Sequence, residues 1–496
     1  MNVNKSDISH VSIVDEEQET NEKESIQYET REERLLIRKL DFTILPLLAI
    51  TYGLLFTDKS TLGGAAIFGL NLDLKLTIIT GLTPEGEPIL DNSRYSNVAM
   101  IFYVGYFVGA YPWSYLCQIL PTAKVVSVSC FLWSIITMLT ATCKNYEGIL
   151  VNRFFLGIAE AAVGPAFTVY VTFWWIRREQ VVRNLFWYGG IGAAVVVVPL
   201  LSYGLARAHT SLKQWQFMYI IIGALSFVWS FVLLFFLPDD PQTARFLSER
   251  EKKILKRRLE IDNVGNVNRV HLRGQVWETL RDPKYWLHIV SVLMICIPAG
   301  AMSSFTTIVL NEFGFGVFET LLLQLPIGAI IILTIVLSSL IARLLNIRYL
   351  MMSLTCLIPA AGSLICLLTT SKNIRYGGVC LWTIATTASG FPMTTATTNA
   401  AGHTKKSLIG ASTFMAYCVG NILGPIIFAS SVGPKYVTGF TVSLVLLLIS
   451  SGLGLALYFY LRAENRKRDA NYGQPTATMF IDDMTDKQNT SFRYVL

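Results

Sequence analysis

Residues 147–172 read EGILVNRFFLGIAEAAVGPAFTVYVT, an apolar stretch with Arg153 and Glu160 in its interior. A helix needs about twenty mostly apolar residues to cross the roughly 30 Å hydrocarbon core of a bilayer, and this stretch is long enough. A charge at the bilayer centre costs at least about 2.5–3.5 kcal/mol, so such residues usually face a cavity and a partner. The sequence therefore predicts a membrane-spanning helix with one functional side.

Apolar stretches of similar length recur along the chain and predict an all-α membrane protein with twelve transmembrane helices in two six-helix halves. The predicted spans are 41–68, 95–118, 123–143, 147–172, 184–206, 216–237, 286–310, 320–342, 349–369, 377–398, 409–431 and 437–461. The predicted units are an N-terminal tail 1–40, a first half 41–237, a linker 238–285, a second half 286–461 and a C-terminal tail 462–496.

The composition supports this class, because 52% of the residues are hydrophobic and only 15% are charged. Soluble proteins carry roughly a quarter charged residues. Lys and Arg concentrate in the linker and around both tails, and the positive-inside rule then places these segments in the cytoplasm. Ser248 and Glu251 in the linker form a capping-box pattern that predicts an amphipathic surface helix through about Leu259.

Several other classes of protein are disfavoured by the same sequence. The basic residues show no interleaving with aromatic residues, so we expect no nucleic-acid partner. The eight cysteines lie in apolar stretches without metal-site spacing, and we expect neither a metal nor a cofactor. No P-loop and no paired nucleophile and base stand out, so we expect no enzyme. The expected state is a monomer in the lipid bilayer.

Four charged residues lie well inside the predicted spans: Asp58, Lys59, Arg153 and Glu160. Arg153 and Glu160 are seven residues apart, which places them on one helix face about 10 Å from each other. Lys59 and Arg153 are candidates for binding an organic anion. Asp58 and Glu160 are candidates for proton transfer, because burial and a neighbouring cation act in opposite directions on the protonation of a carboxyl group.

A purely structural role for these charges is the alternative, in which they neutralise one another and hold two helices together. Replacement of a buried ion pair by hydrophobic residues is often neutral or stabilising, and this favours the functional interpretation. Milder polar residues in the second half, Gln324, Asn399 and Asn421, fit hydrogen bonds between helices better than substrate contacts. Glycines and a proline around Asn421 predict a broken or flexible stretch of span eleven.

The motifs together resemble the major facilitator superfamily, and within it the anion:cation symporter family. Phe56-Thr57-Asp58-Lys59 lies in span one, and residues 153–161, RFFLGIAEA, are close to the family pattern RFxLGxxEA. Residues 236–241, FLPDDP, follow span six. Residues 399–406, NAAGHTKK, and the C-terminal segment 484–494 resemble the fungal allantoate permeases. These permeases take up allantoate, ureidosuccinate, vitamin-type carboxylates and sulfur compounds.

The resemblance implies proton-coupled uptake of a small organic anion across the fungal plasma membrane, with both termini cytoplasmic. It implies proton coupling by Asp58 and Glu160 and substrate contact by Arg153, with Tyr106 and Asn421 as further pocket residues. The alternative function is a nutrient sensor of the same fold that binds its ligand without transporting it. Such sensors carry long cytoplasmic extensions, and the short tails predicted here favour transport.

Overall fold

The computed structural model describes residues 5–82, 88–205, 211–261, 272–345, 347–395, 398–430, 436–473 and 484–496. The helices before the linker are α1 (Lys5–Ala65), α2 (Asn71–Asp73), α3 (Ser93–Ile119), α4 (Thr122–Thr140), α5 (Tyr146–Glu160), α6 (Val163–Thr172), α7 (Arg177–Tyr188), α8 (Gly190–Leu205) and α9 (Gln214–Phe236). A π-helical turn (Ala66–Leu70) separates α1 from α2, and we call α1–α9 the N-terminal bundle.

The remaining helices belong to the linker and to a second bundle. The linker contains α10 (Glu249–Ile261) and α11 (Arg273–Leu280). The C-terminal bundle consists of α12 (Pro283–Glu312), α13 (Val317–Leu345), α14 (Arg348–Leu368), α15 (Lys372–Trp382), α16 (Ala385–Thr395), α17 (His403–Ala429) and α18 (Val437–Tyr472). A short antiparallel hairpin, β1 (Ile78–Leu82) and β2 (Pro88–Asp91), lies between α2 and α3.

Ten stretches of helix in the described residues are long and apolar enough to cross a membrane. The predicted spans 95–118 and 377–398 are not among these ten. The first corresponds to the single helix α3, whose tyrosines and polar residues lower its apolar content. The second is divided into α15 and α16 by a turn at Thr383 and Ile384, and neither piece is long enough alone. The all-helical membrane fold is confirmed with these two differences in detail.

The two bundles contact each other mainly through two pairs of helices. Helix α13 packs along α8, and α17 packs along α3. On the side of the β-hairpin, which we call the hairpin side, Tyr95 Oη donates a 2.7 Å hydrogen bond to the carbonyl oxygen of Ser304. A Cβ added at Gly63 would lie 3.0 Å from the Thr307 hydroxyl oxygen, so α1 and α12 also meet closely there.

The predicted capping box at the start of α10 is confirmed. The backbone N–H of Ser248 donates to Glu251 Oε2 at 2.7 Å, and the N–H of Glu251 donates back to Ser248 Oγ at 3.3 Å. The same Glu251 carboxylate forms an ion pair with Lys39 of α1 at 2.8 Å. Burial opposes ionisation of Glu251, but its hydrogen bond to Lys39 and the Ser248 contacts leave its pKa below the usual value. The linker helix is thereby attached to the N-terminal bundle.

The predicted break in span eleven is wrong. Helix α17 is continuous, with Pro425 inside it. The glycines of this stretch instead allow α12 to approach closely, because a Cβ at Gly424 would lie 2.3 Å from the carbonyl oxygen of Ile297. Small residues at helix crossings of this kind bring two backbones together in membrane proteins.

Candidate functional site

Asp58 and Lys59 lie next to each other on α1, and both are withdrawn from solvent. Asp58 is 0% exposed, and the side chain of Lys59 is 8% exposed. Consecutive helical residues point in directions about 100° apart, because an α-helix has 3.6 residues per turn. The two side chains therefore reach different neighbours inside the N-terminal bundle.

Lys59 contacts one carboxylate and three aromatic rings. Its Nζ lies 3.8 Å from Oε2 of Glu160, the last residue of α5. The same nitrogen lies 4.9 Å from the ring centre of Tyr106, 5.0 Å from that of Phe102 and 5.8 Å from that of Tyr103. A cation within about 6 Å of a ring face is attracted by the ring quadrupole, more strongly when both are desolvated.

These aromatic rings continue into the C-terminal bundle. Tyr106 stacks on Phe414 of α17 with 5.4 Å between ring centres, and Tyr103 meets Tyr417 edge-on at 6.2 Å. Lys59 thus lies behind an aromatic layer at the contact between the two bundles. A displacement of α17 relative to α3 would alter the surroundings of this cation directly.

Close packing of α3 on α5 positions the rings. A Cβ at Gly157 would lie 2.0 Å from the carbonyl oxygen of Phe102 and 2.8 Å from the backbone nitrogen of Tyr106. A Cβ at Gly105 would lie 2.1 Å from the carbonyl oxygen of Phe154. The missing side chain at Gly157 therefore makes space for the backbone of a neighbouring helix.

Arg153 and Asp58 form the second charged part of the site. Arg153 Nη2 donates a 2.5 Å hydrogen bond to Tyr219 Oη, and its guanidinium carbon lies 5.6 Å from the centre of that ring. Asp58 interacts electrostatically with Arg153 and with Lys59. Arg153 is 2% exposed, so its charge is withdrawn from solvent inside the bundle.

The carboxylates are poorly satisfied by hydrogen bonds. Among the described residues, neither oxygen of Asp58 and neither oxygen of Glu160 has a hydrogen-bond partner of good geometry, although the Thr137 hydroxyl interacts with Asp58; Arg153 Nε also lacks a partner. Buried charges are usually both paired and hydrogen-bonded, because an unpaired charge is costly in a medium of low dielectric. Neither carboxylate therefore has the complete set of hydrogen bonds that is usual for a buried structural ion pair.

The predicted site residues are only partly brought together. Lys59, Glu160 and Tyr106 form one contact group, and Asp58 and Arg153 interact beside it. Asn421 is separate from both groups in its hydrogen bonding, because its Nδ2 donates to the carbonyl oxygen of Tyr417 on its own helix at 2.8 Å.

Four aromatic residues of the candidate site were not predicted from the sequence: Phe102, Tyr219, Phe414 and Tyr417. Each lies on a membrane helix distant in sequence, where an aromatic residue ordinarily indicates packing. Tyr111, on the same helix as Tyr103 and Tyr106, is 81% exposed and is not part of this group.

Comparison with known proteins agrees with this architecture. A family model described as Major Facilitator Superfamily matches residues 48–425. The allantoate permease of Saccharomyces cerevisiae is 31% identical over 502 aligned positions, covering 96% of this chain and 89% of the permease. An uncharacterized transporter of Schizosaccharomyces pombe, C460.05, is 33% identical, covering 95% of this chain and 88% of its own length.

Solved structures support the fold. The proton:xylose symporter XylE bound to a sugar analogue superposes with a TM-score of 0.61 at 12% identity, covering 86% of this chain and 96% of XylE. A bacterial homolog of the human lysosomal transporter Spinster, in an inward-facing and unoccupied conformation, gives 0.61 at 14% identity, covering 84% and 95% of the two chains.

Proposed function

The chain belongs to the major facilitator superfamily of membrane transporters, and from this premise we propose that it carries a small organic anion together with protons. Transport of this kind proceeds by alternating access, in which two helical bundles rock around a central site. The two bundles and their contacts at α3–α17 and α8–α13 fit such a movement.

The observation that carries the proposal is the position of Lys59 between Glu160 and the aromatic layer. The ammonium group has one carboxylate partner at 3.8 Å, and that carboxylate has no hydrogen-bond partner among the described residues. Protonation of Glu160 removes its negative charge and leaves Lys59 available to a substrate anion. Competition between carboxylate and substrate for one cation couples the binding of the two species.

Asp58 and Arg153 provide a second place where a carboxylate and a substrate anion would compete for one cation. Arg153 interacts with Asp58 and uses one of its donors on Tyr219. A guanidinium group presents two parallel donors to a carboxylate or sulfonate, which suits recognition of an organic anion. Asp58 is the second proposed proton carrier. We assign Tyr106 to the pocket by its ring contact with Lys59, and Asn421 by resemblance.

The proposed substrate is an allantoate-like or vitamin-type carboxylate, and its proposed location is the plasma membrane with both tails in the cytoplasm. The similarity to a protein named allantoate permease supports this substrate class. The basic linker and tail residues support the orientation. We also propose that the linker 238–285 connects two halves, 41–237 and 286–461, which move relative to each other during transport.

Uptake measurements test the proposal. Fungal cells that lack related permeases would express the chain and receive allantoate, nicotinate, pantothenate, cysteine and a sulfonate singly. We expect accumulation of at least one anion that increases at acidic external pH and disappears when a protonophore is added. Accumulation that survives collapse of the proton gradient, with or without sodium, would contradict proton coupling. Binding without any uptake would favour a sensor.

A further inference from the structure

The C-terminal segment 484–496 folds back onto the C-terminal bundle. It covers the side where α12 begins next to α11, which we call the linker side. Two asparagines hold its last residues by paired hydrogen bonds. Asn399 donates to the carbonyl oxygen of Val495 at 2.8 Å and accepts from its N–H at 2.7 Å. Asn465 of α18 pairs with the backbone of Tyr494 in the same way, at 2.8 and 2.9 Å.

A buried arginine of α18, Arg468, donates hydrogen bonds to several acceptors of this segment. Arg468 Nη1 donates to the carbonyl oxygens of Asp486 at 2.9 Å and Phe492 at 3.0 Å, and Nη2 donates to Tyr494 Oη at 3.0 Å. Its guanidinium carbon lies 4.7 Å from the centre of the Tyr494 ring. These contacts fix the path of a segment that contains no helix.

The Asp486 carboxylate lies between two lysines on neighbouring helices, and the buried carboxylate of Asp282 contacts the same two lysines. Asp486 is fully buried and contacts the ammonium groups of Lys284 on α12 and Lys405 on α17, the latter at 2.9 Å. Tyr494 Oη donates to the same carboxylate at 2.8 Å. Burial opposes ionisation, but the two lysines lower the pKa of Asp486 to about 2. The carboxylate is therefore charged at any physiological pH.

The neighbouring linker helix is attached to the same cluster. Lys405 also contacts Glu278 of α11 at 2.9 Å, and Thr485 Oγ1 donates to that carboxylate at 2.9 Å. Ordering one residue costs roughly 1–2 kcal/mol of backbone entropy, so a nonhelical segment is fixed only where many specific contacts compensate. The contacts described here occur on α11, α12, α17, α18 and the connection before α17.

We infer that the C-terminal bundle contains a docking site for this chain's own segment 484–496, and that the docked segment joins the linker-side ends of its helices into one rigid body. The ligand of the site is a peptide whose buried carboxylate binds Lys284 and Lys405 and whose backbone pairs with Asn399 and Asn465. Because every contact given above lies on the C-terminal bundle or α11, the segment moves with that bundle during rocking.

Asp486→Asn in the full-length transporter tests the inference. The amide keeps the shape but removes one of the two buried carboxylates, Asp486 and Asp282, that balance Lys284 and Lys405, so we expect the melting temperature in detergent to fall by on the order of 5–10 °C. The control is Asp469→Asn. Asp469 is 44% exposed, and the substitution removes its ion pair with Arg493 of the segment 484–496. Exposed pairs contribute little, so the control should shift by less than about 2 °C.

Hydrogen exchange measured by mass spectrometry distinguishes docking from general destabilisation. In the parent, amides of 484–496 should exchange slowly. In Asp486→Asn they should exchange at least about tenfold faster. Amides at the linker-side ends of α12 and α17 should also exchange faster, whereas exchange in α3 and α5 should not change. If Asp486→Asn does not fold, Asn465→Ala removes two hydrogen bonds and should give the same pattern with a smaller shift.

Free exchange of the segment in the parent would overturn the inference. An Asp486→Asn protein with parental melting temperature and exchange would overturn it as well. Both measurements are made without substrate, so their failure is distinguishable from failure of the proposed transport function.

Discussion

The contact of α3 with α5 at Gly157 gives a quantitative prediction for Gly157→Ala. The added Cβ would lie 2.0 Å from the carbonyl oxygen of Phe102, whereas carbon–oxygen contacts are comfortable at about 3.3–3.6 Å. Helix α3 must therefore retreat by more than about 1 Å. The centres of the Phe102, Tyr103 and Tyr106 rings lie 4.9–5.8 Å from Lys59 Nζ, close to the roughly 6 Å limit of the interaction, so a shift of α3 by this amount changes their contact with the cation.

The expected cost of this overpacking is about 1–3 kcal/mol, and 1.4 kcal/mol corresponds to a tenfold change in an equilibrium constant. We expect a lower melting temperature and an apparent substrate affinity that is reduced about tenfold. The affinity is measured from uptake as a function of substrate concentration, corrected for the amount of protein at the cell surface. Gly452→Ala is the matched control, because a Cβ there meets no atom within 4 Å. Parental stability and affinity in Gly157→Ala would refute the role of this contact in positioning the rings.

Two substitutions test the surroundings of Arg153. Arg153→Lys keeps the charge but loses the planar pair of donors, so we expect apparent affinity to fall about tenfold or more at normal surface abundance; parental affinity, or failure to reach the membrane, would contradict a substrate contact. Tyr219→Phe removes the acceptor of the 2.5 Å hydrogen bond from Arg153, and stability should fall by about 1.5–3 kcal/mol. The control is Tyr111→Phe, at an exposed position, which should change the melting temperature little. Equal shifts of the melting temperature in Tyr219→Phe and Tyr111→Phe would contradict a stabilising hydrogen bond from Arg153 to Tyr219.

Local patterns in the sequence predicted the larger organisation and one piece of fine structure. The apolar runs predict the helices, because the length of a membrane helix is fixed by bilayer thickness. The pattern at Ser248 and Glu251 predicts the start of α10, because a capping box depends only on residues three apart. Because few charged residues lie inside the predicted spans, Lys59 and Glu160 were predicted as site residues, and they are in contact in the structure.

The long-range partners could not be predicted in this way. Arg153 and Tyr219 are 66 residues apart, and their hydrogen bond depends on how α5 and α9 are rotated. The docking of Asp486 on Lys284 joins residues 202 positions apart and involves a segment without periodicity. The break predicted near Asn421 was wrong because glycines in a membrane helix also serve close helix packing, as Gly424 does on α12.

Substitution of Glu160 by Gln tests proton coupling most directly. The amide keeps the shape of the side chain but cannot release a proton, and it leaves Lys59 without its carboxylate partner at 3.8 Å. Accumulation against a gradient and counterflow exchange would be measured on the same cells, with Glu147→Gln at an exposed position of α5 as the control. We expect Glu160→Gln to retain exchange but to lose accumulation and the dependence of accumulation on external pH. A Glu160→Gln protein that concentrates the anion as the parent does would contradict it.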